Sequence, residues 1–214
     1  MANMRKISGT LSALMLALCV SGQSDPRAVA ILDKFSASAT SAPSVSMKFL
    51  LITDDQLEKT TDTLQGSVLL SRNSYRLDLP DNIIWFNGEV SWSLLPAEKE
   101  VTITKPDRND DSFQSRPSSI FTMYKKGYKS RLTEERPEVY IIDLYPEDYK
   151  NDLIRVRLFI ARSNLYLKSL EYKRRDGITA TLIVKDYNLK QKPDQSFFSF
   201  SPEKYRDVDI IDMR

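Results

Sequence analysis

The sequence predicts a mainly β fold with α: a strongly curved antiparallel sheet, a half or incomplete β-barrel, covered by an N-terminal helix and an inserted lid helix. Three observations predict it. Between residues 66 and 103 apolar and polar residues alternate in short runs, with Gly66, Val68 and Leu70 set against Gln65, Ser67 and Ser71, and Tyr75, Leu77 and Leu79 against Arg76 and Asp78. That period of two is the signature of half-buried strands. Turn residues fall between the runs: Asn87-Gly88 separates 83–86 from 90–94, and Asp176-Gly177 separates 165–175 from 178–188. Both pairs predict type I′ hairpins, whose two central residues need positive φ. Finally, two apolar segments of helical spacing interrupt the strands, and an open curved sheet offers the surface such segments need.

Taken in order, Asp25-Pro26 reads as an N-cap followed by proline in the first turn, where a missing N–H costs nothing. Ala28, Ile31, Leu32, Phe35 and Ala39 then form one apolar face as far as the Ser41-Ala42-Pro43 break. Val45, Met47, Phe49 and Leu51 make the first strand, with Leu50 and Ile52 on its other face, and polar residues 53–63 read as a loop. After Ile103 the pattern gives way to a charged stretch in which Asp107, Asn109 and Asp111 have the spacing that opens a calcium loop. Ser112 and Ser118 stand where such a loop needs Gly and Glu, so no metal is expected. Residues 117–124 read as a short helix stopped by Gly127. Alternation resumes at 139–144 and 154–160, and in the last hairpin Ile178, Ala180, Leu182 and Val184 oppose Thr179, Thr181 and Lys185. About ten strands in hairpin order result, with a concave face that must be filled or covered.

The N-terminus differs from the rest. Arg5 and Lys6 precede an apolar run from Leu11 to Val20, and Val20 and Gly22 are small enough to flank a cleavage site. Residues 1–22 are read as a secretory signal peptide and residues 23–214 as a single domain. Cys19 is the sole cysteine and Leu18 before it is too large for a lipid-attachment box, so the mature chain is expected to carry neither acyl group nor disulfide. Removing Arg5 and Lys6 takes the charge count from 31 basic and 29 acidic residues to 29 of each. A formally neutral chain gives no reason to expect nucleic acid as a partner.

Catalytic signatures are missing. The sequence has no histidine, which removes Ser-His-Asp triads, Cys-His dyads and histidine-bound zinc. It contains no Gly-x-Ser-x-Gly elbow, phosphate loop or dinucleotide fingerprint, and its paired acids Asp54-Asp55, Asp110-Asp111 and Glu147-Asp148 fall in expected loops. A non-enzymatic protein with no cofactor is expected. Basic clusters at Lys125-Lys126, Lys129 and Arg131, and at Lys173-Arg174-Arg175, read either as solvated turns or as a docking patch.

A resemblance sharpens this reading. Gly66, then Ser71-Arg72-Asn73-Ser74-Tyr75-Arg76-Leu77, then Asn87-Gly88, Trp92 and Pro96 resemble the outer-membrane lipoprotein carrier (LolA) family. That family has there a glycine, a Lys-Arg-Pro turn, an aromatic-Arg-aromatic strand, Asp-Gly, a Trp and a Pro. Asn73 replaces the proline, the turn to Tyr75 is one residue short, Leu77 replaces a Trp and Asn87 an Asp. Phe197-Phe198-Ser199-Phe200-Ser201-Pro202 is similar to the family's C-terminal strand. The likeness covers most of residues 25–210 and is weakest at 104–136.

What the resemblance implies is a monomeric periplasmic carrier that takes acylated lipoproteins from an inner-membrane release complex to an outer-membrane acceptor. Val68, Leu70, Tyr75, Leu77, Trp92 and Leu94 are expected to line an apolar cavity, and Ile120, Phe121 and Tyr124 to close it as a lid. Arg72 aligns with the family arginine that holds the lid closed, and it shares the strand phase of Val68 and Leu70. A lipid-sensing domain that shuttles nothing, a lipid hydrolase and the lipid-anchored acceptor are the other classes. The missing histidine argues against the hydrolase and the poor box at Cys19 against the acceptor.

Overall fold

The computed structural model describes residues 23–106, 113 and 115–214, so the signal peptide expected at residues 1–22 and the calcium-like spacing of Asp107, Asn109 and Asp111 lie outside the described residues. In chain order the elements are α1 (Pro26–Thr40), β1 (Val45–Asp55), β2 (Thr60–Ser71), β3 (Ser74–Asp78), β4 (Ile83–Phe86), β5 (Ser91–Leu95) and β6 (Glu100–Thr104). Two 3-10 turns, Pro117–Phe121 and Met123–Lys125, precede β7 (Tyr128–Glu135), β8 (Val139–Pro146), β9 (Leu153–Ala161), β10 (Leu167–Arg174) and β11 (Ile178–Asn188). A further 3-10 turn, Gln195–Phe198, leads to β12 (Asp209–Asp212).

One sheet holds all twelve of these strands, ordered β12-β6-β5-β4-β3-β2-β1-β11-β10-β9-β8-β7. Two hairpin meanders meet where β1 pairs antiparallel with β11, and β12 returns to pair parallel with β6. The sheet does not close, because β7 and β12 end it on opposite sides. Among the described residues the fold is therefore mainly β with one α-helix and an open sheet. At Gly66 a Cβ would lie 2.6 Å from Cζ of Phe49, its partner on β1, so only glycine lets the Phe49 ring lie across the strand.

Helix α1 starts as the sequence predicts. The Asp25 carboxylate caps the Arg27 N–H at 2.8 Å and also accepts from Leu132 N–H at 3.2 Å, while Asp25 N–H donates to the Ser130 carbonyl. The residues that begin the helix thus also satisfy β7, an edge strand that would otherwise leave its backbone open. Ala28, Leu32, Phe35 and Ala39 are buried under the helix.

Four expectations are corrected. Residues 53–63 are not a loop, since β1 and β2 run on as a ladder to Asp55↔Thr60. The segment is polar but rich in threonine, and the Asp55 carboxylate closes the turn by accepting from Leu57 and Glu58 N–H. Neither Asn-Gly nor Asp-Gly forms a type I′ turn, because Gly88 and Gly177 have positive φ and Asn87 and Asp176 do not. The Asn87 side chain instead accepts from Glu89 and Val90 N–H across a longer loop, and Asp176 accepts from Ile178 N–H.

The inserted lid helix is two 3-10 turns rather than a helix. The short segment includes Ser118, Ser119 and Thr122, which compete for backbone bonds, and a helix so short does not repay its nucleation. Residues 197–202 are not a strand. Phe200 crosses the outer face of β4 to β6, and Trp85, Leu94, Val101 and Phe200 with Ile83, Trp92, Tyr205 and Val208 form a second apolar cluster there.

Candidate functional site

The concave face of the sheet carries the main core. Met47, Phe49, Val68, Leu70, Tyr75, Leu77 and Ile84 from the first meander meet Ile142, Leu144, Val156, Leu158, Leu170 and Leu182 from the second. Alternation within each strand places these on one side. Helix α1 and the turns at 117–125 lie over them, with Phe35 and Phe121 in contact at 5.3 Å between ring centroids and Phe113 edge-on to Phe49 at 5.6 Å. The interior is filled by these side chains, and Phe35, Phe49, Leu77 and Ile120 are all fully buried.

Seven of the ten residues singled out by sequence come together in this interior: Val68, Leu70, Tyr75, Leu77, Ile120, Phe121 and Tyr124. The other three do not. Trp92 pairs with Trp85 and Leu94 with Ile83, so both point to the opposite face and pack in the second cluster. The strand phase inverts between β3 and β5 because Tyr75↔Phe86 and Phe86↔Ser91 put Ser91, not Trp92, on the concave side. Arg72 is exposed in the β2–β3 turn with φ +51°. No hydrogen bond or ion pair ties its guanidinium to the covering turns among the described residues.

Sequence reasoning missed Phe35, Phe49 and the concave residues of β8 to β11 as parts of one surface, although their alternation marks them as core. It had no signal for Asp33. The Tyr124 hydroxyl donates to Asp33 Oδ1 at 2.5 Å, joining the covering turns to α1, and burial together with the adjacent carboxylate pushes the phenol up to about 12. At the other end of the insert the Tyr75 hydroxyl donates to the Ser115 carbonyl at 3.1 Å. Tyr172 also reaches the interior from β10. Its hydroxyl is buried with no hydrogen-bond partner among the described residues, and burial pushes it up.

Two cavities flank the covering turns. One of about 730 Å³ opens at the rim between Arg72, Tyr75, Phe86, Lys105 and Arg116. One of about 210 Å³ lies between Ala39, Val45, Leu70, Ser118 and Phe121, and the two share Leu70, Arg72 and Ser118. The smaller one reaches the seam between α1, the start of β1 and the insert. No cluster of acids able to hold a metal occurs among the described residues, and none of the described helices is long and apolar enough to cross a membrane.

Comparison with known proteins places this architecture. A family model described as outer membrane lipoprotein carrier protein LolA matches residues 22–177. An uncharacterized conserved protein from Thermus thermophilus has a similar structure, with a TM-score of 0.59 at 12% identity over 87% of this chain and 99% of that one. A LolA superfamily protein from Nitrosomonas europaea gives 0.43 at 15% identity, covering 81% of this chain and 97% of that one. A putative outer membrane lipoprotein-sorting protein domain from Vibrio parahaemolyticus gives 0.44 at 10% identity, covering 81% and 96%. No curated protein matches the chain in sequence.

Proposed function

Because the chain belongs to the outer membrane lipoprotein carrier (LolA) family, we propose that it is a periplasmic carrier, exported by residues 1–22, that holds the acyl chains of a lipoprotein between the concave face and its covers. The observation that carries this reading is the apolar concave face roofed by α1 and the 117–125 turns, which meet it through side chains such as Phe35 and Phe121 rather than through backbone ladders. Side-chain contacts can part without breaking the sheet. The filled interior is then the empty, closed state, and loading displaces the roof.

The physical need for such a carrier is large. An acyl chain of about fourteen methylenes, at roughly 0.8 kcal/mol each, costs about 11 kcal/mol to expose to water. Shielding it takes no covalent chemistry, in keeping with a sequence that lacks histidine. An inner-membrane release complex and an outer-membrane acceptor are the partners this role requires.

The test is a transfer assay with the mature chain and a synthetic diacylated peptide. Saturable one-to-one binding, followed by delivery to acceptor vesicles faster than spontaneous exchange, is expected. Binding without delivery would make the protein a lipid-sensing domain instead, and no binding would end the carrier reading. Phe121→Asp, which puts a charge under the roof, should weaken peptide binding at least about tenfold while far-UV circular dichroism keeps its β signature.

A further inference from the structure

We infer that Tyr124 and Asp33 form the clasp that holds the roof shut, and that releasing it gates entry to the interior. The inference rests on the carrier reading for what enters, and on geometry for the clasp itself. The Tyr124 hydroxyl joins the second covering turn to the helix, hydrogen-bonded to both Asp33 and Ser36 of α1, and its bond to Asp33, at 2.5 Å, is short and charge-assisted. Its two ends differ in a telling way. The Tyr124 ring is buried in the main core, whereas Asp33 stands on the exposed side of α1.

A clasp built from one buried and one exposed partner can open at low cost. When Tyr124 swings away, the Asp33 carboxylate is taken up by water, and no buried charge is left unpaired. The phenol carries the apolar contact and the bond together, so breaking the bond also begins to withdraw the ring from the core. Phe121, three residues earlier, contacts Phe35, two residues beyond Asp33, so the same two elements part along one seam. That seam borders the cavity of about 210 Å³ lined by Ala39, Phe121 and Thr122. Arg72 cannot serve this purpose, since it lies exposed in a turn with no bond to the insert among the described residues.

The experiment uses the mature chain and the variants Tyr124→Phe, Asp33→Ala and the double substitution. Phenylalanine keeps the ring and removes only the hydroxyl. Hydrogen exchange is read first, without ligand, at the hydrogen-bonded amides of Thr122, Lys125 and Lys126. Each single variant should speed exchange there by about tenfold, the size of effect that one charge-assisted bond supports, and the double should add nothing to Tyr124→Phe, which already lacks the hydroxyl. Unchanged exchange in both single variants, or additive effects in the double, would overturn the clasp.

Stopped-flow association of a pyrene-labelled hexadecanoic acid is read second. Association should quicken in step with exchange. Faster exchange with unchanged association would overturn the gating role. If the parent chain and every variant fail to take up the fatty acid, the carrier reading and the gating that depends on it both fall, while exchange alone still decides whether the clasp holds the turns to the helix.

Discussion

Tyr172 and Tyr124 are two phenols in one apolar interior, and they differ in what their hydroxyls meet. Tyr124 has Asp33 at 2.5 Å, and Tyr172 has no partner among the described residues. A buried hydroxyl without a bond has lost its water and gained nothing, so removing it relieves a cost. Tyr172→Phe should therefore raise unfolding free energy by about 1 kcal/mol, read as a higher denaturation midpoint at unchanged slope. A lower midpoint would mean that the hydroxyl has a partner after all. Neither behaviour was legible in the sequence, because a tyrosine on the inner phase of a strand or turn reads as core whether or not its oxygen is satisfied.

Among the elements, α1 shows what local sequence can specify and what it cannot. Asp25-Pro26 and the stripe from Ala28 to Ala39 predict its start and its buried face. They do not predict that Asp25 also serves β7, which depends on Ser130 and Leu132 lying beside it. Burial works against the Asp25 carboxylate, but N–H groups of Arg27, Leu132 and Ala28 and the Arg27 charge outweigh it and hold the group below the usual carboxylate range. A carboxylate lowered in the folded state adds stability above its unfolded pKa, and that contribution is lost as pH falls through the folded value. Asp25→Ala should cost about 1 to 2 kcal/mol at neutral pH, and the gap between variant and parent should narrow on acidification. A gap that stayed constant down to about pH 2 would show that the cap acts through packing alone.

The elements misread by sequence share a cause. Hydrophobic alternation finds strands that bury one face, so it found β2 to β5 and β8 to β11 but not the polar extension of β1 and β2, which is held by Thr-rich cross-strand pairs. It also missed β7, whose inner residues are as mixed as Ser130 and Leu132, and β12, whose four residues are all exposed. Phe197 to Pro202 reads as a strand only through its likeness to the family's C-terminal strand. The segment turns out to be a strap, with Phe200 against Trp85 at 5.7 Å and stacked on Tyr205 at 5.4 Å. Alternation says that a face is apolar and leaves open which body covers it.

On the scale of the whole molecule, one sheet carries two apolar clusters on opposite faces, the roofed interior and the outer cluster under the C-terminal strap. The chain has two tryptophans, Trp85 and Trp92, and both belong to the outer cluster. Arg76 lies over the Trp85 ring at 5.3 Å and over Phe197 at 5.0 Å, which ties the strap to β3 and β4 independently of α1 and the covering turns. On the proposed carrier function, loading an acyl chain parts the roof on the concave side and leaves the strap in place. The wavelength of tryptophan emission should therefore stay fixed while the interior fills with unlabelled hexadecanoic acid. Phe200→Ala should do the reverse. It opens the outer cluster, shifts tryptophan emission to longer wavelength and costs about 3 kcal/mol of stability, while the affinity for the fatty acid stays near that of the parent. A shift of tryptophan emission on loading would mean that the sheet transmits the opening of one face to the other, and the two clusters would then have to be treated as a single coupled core.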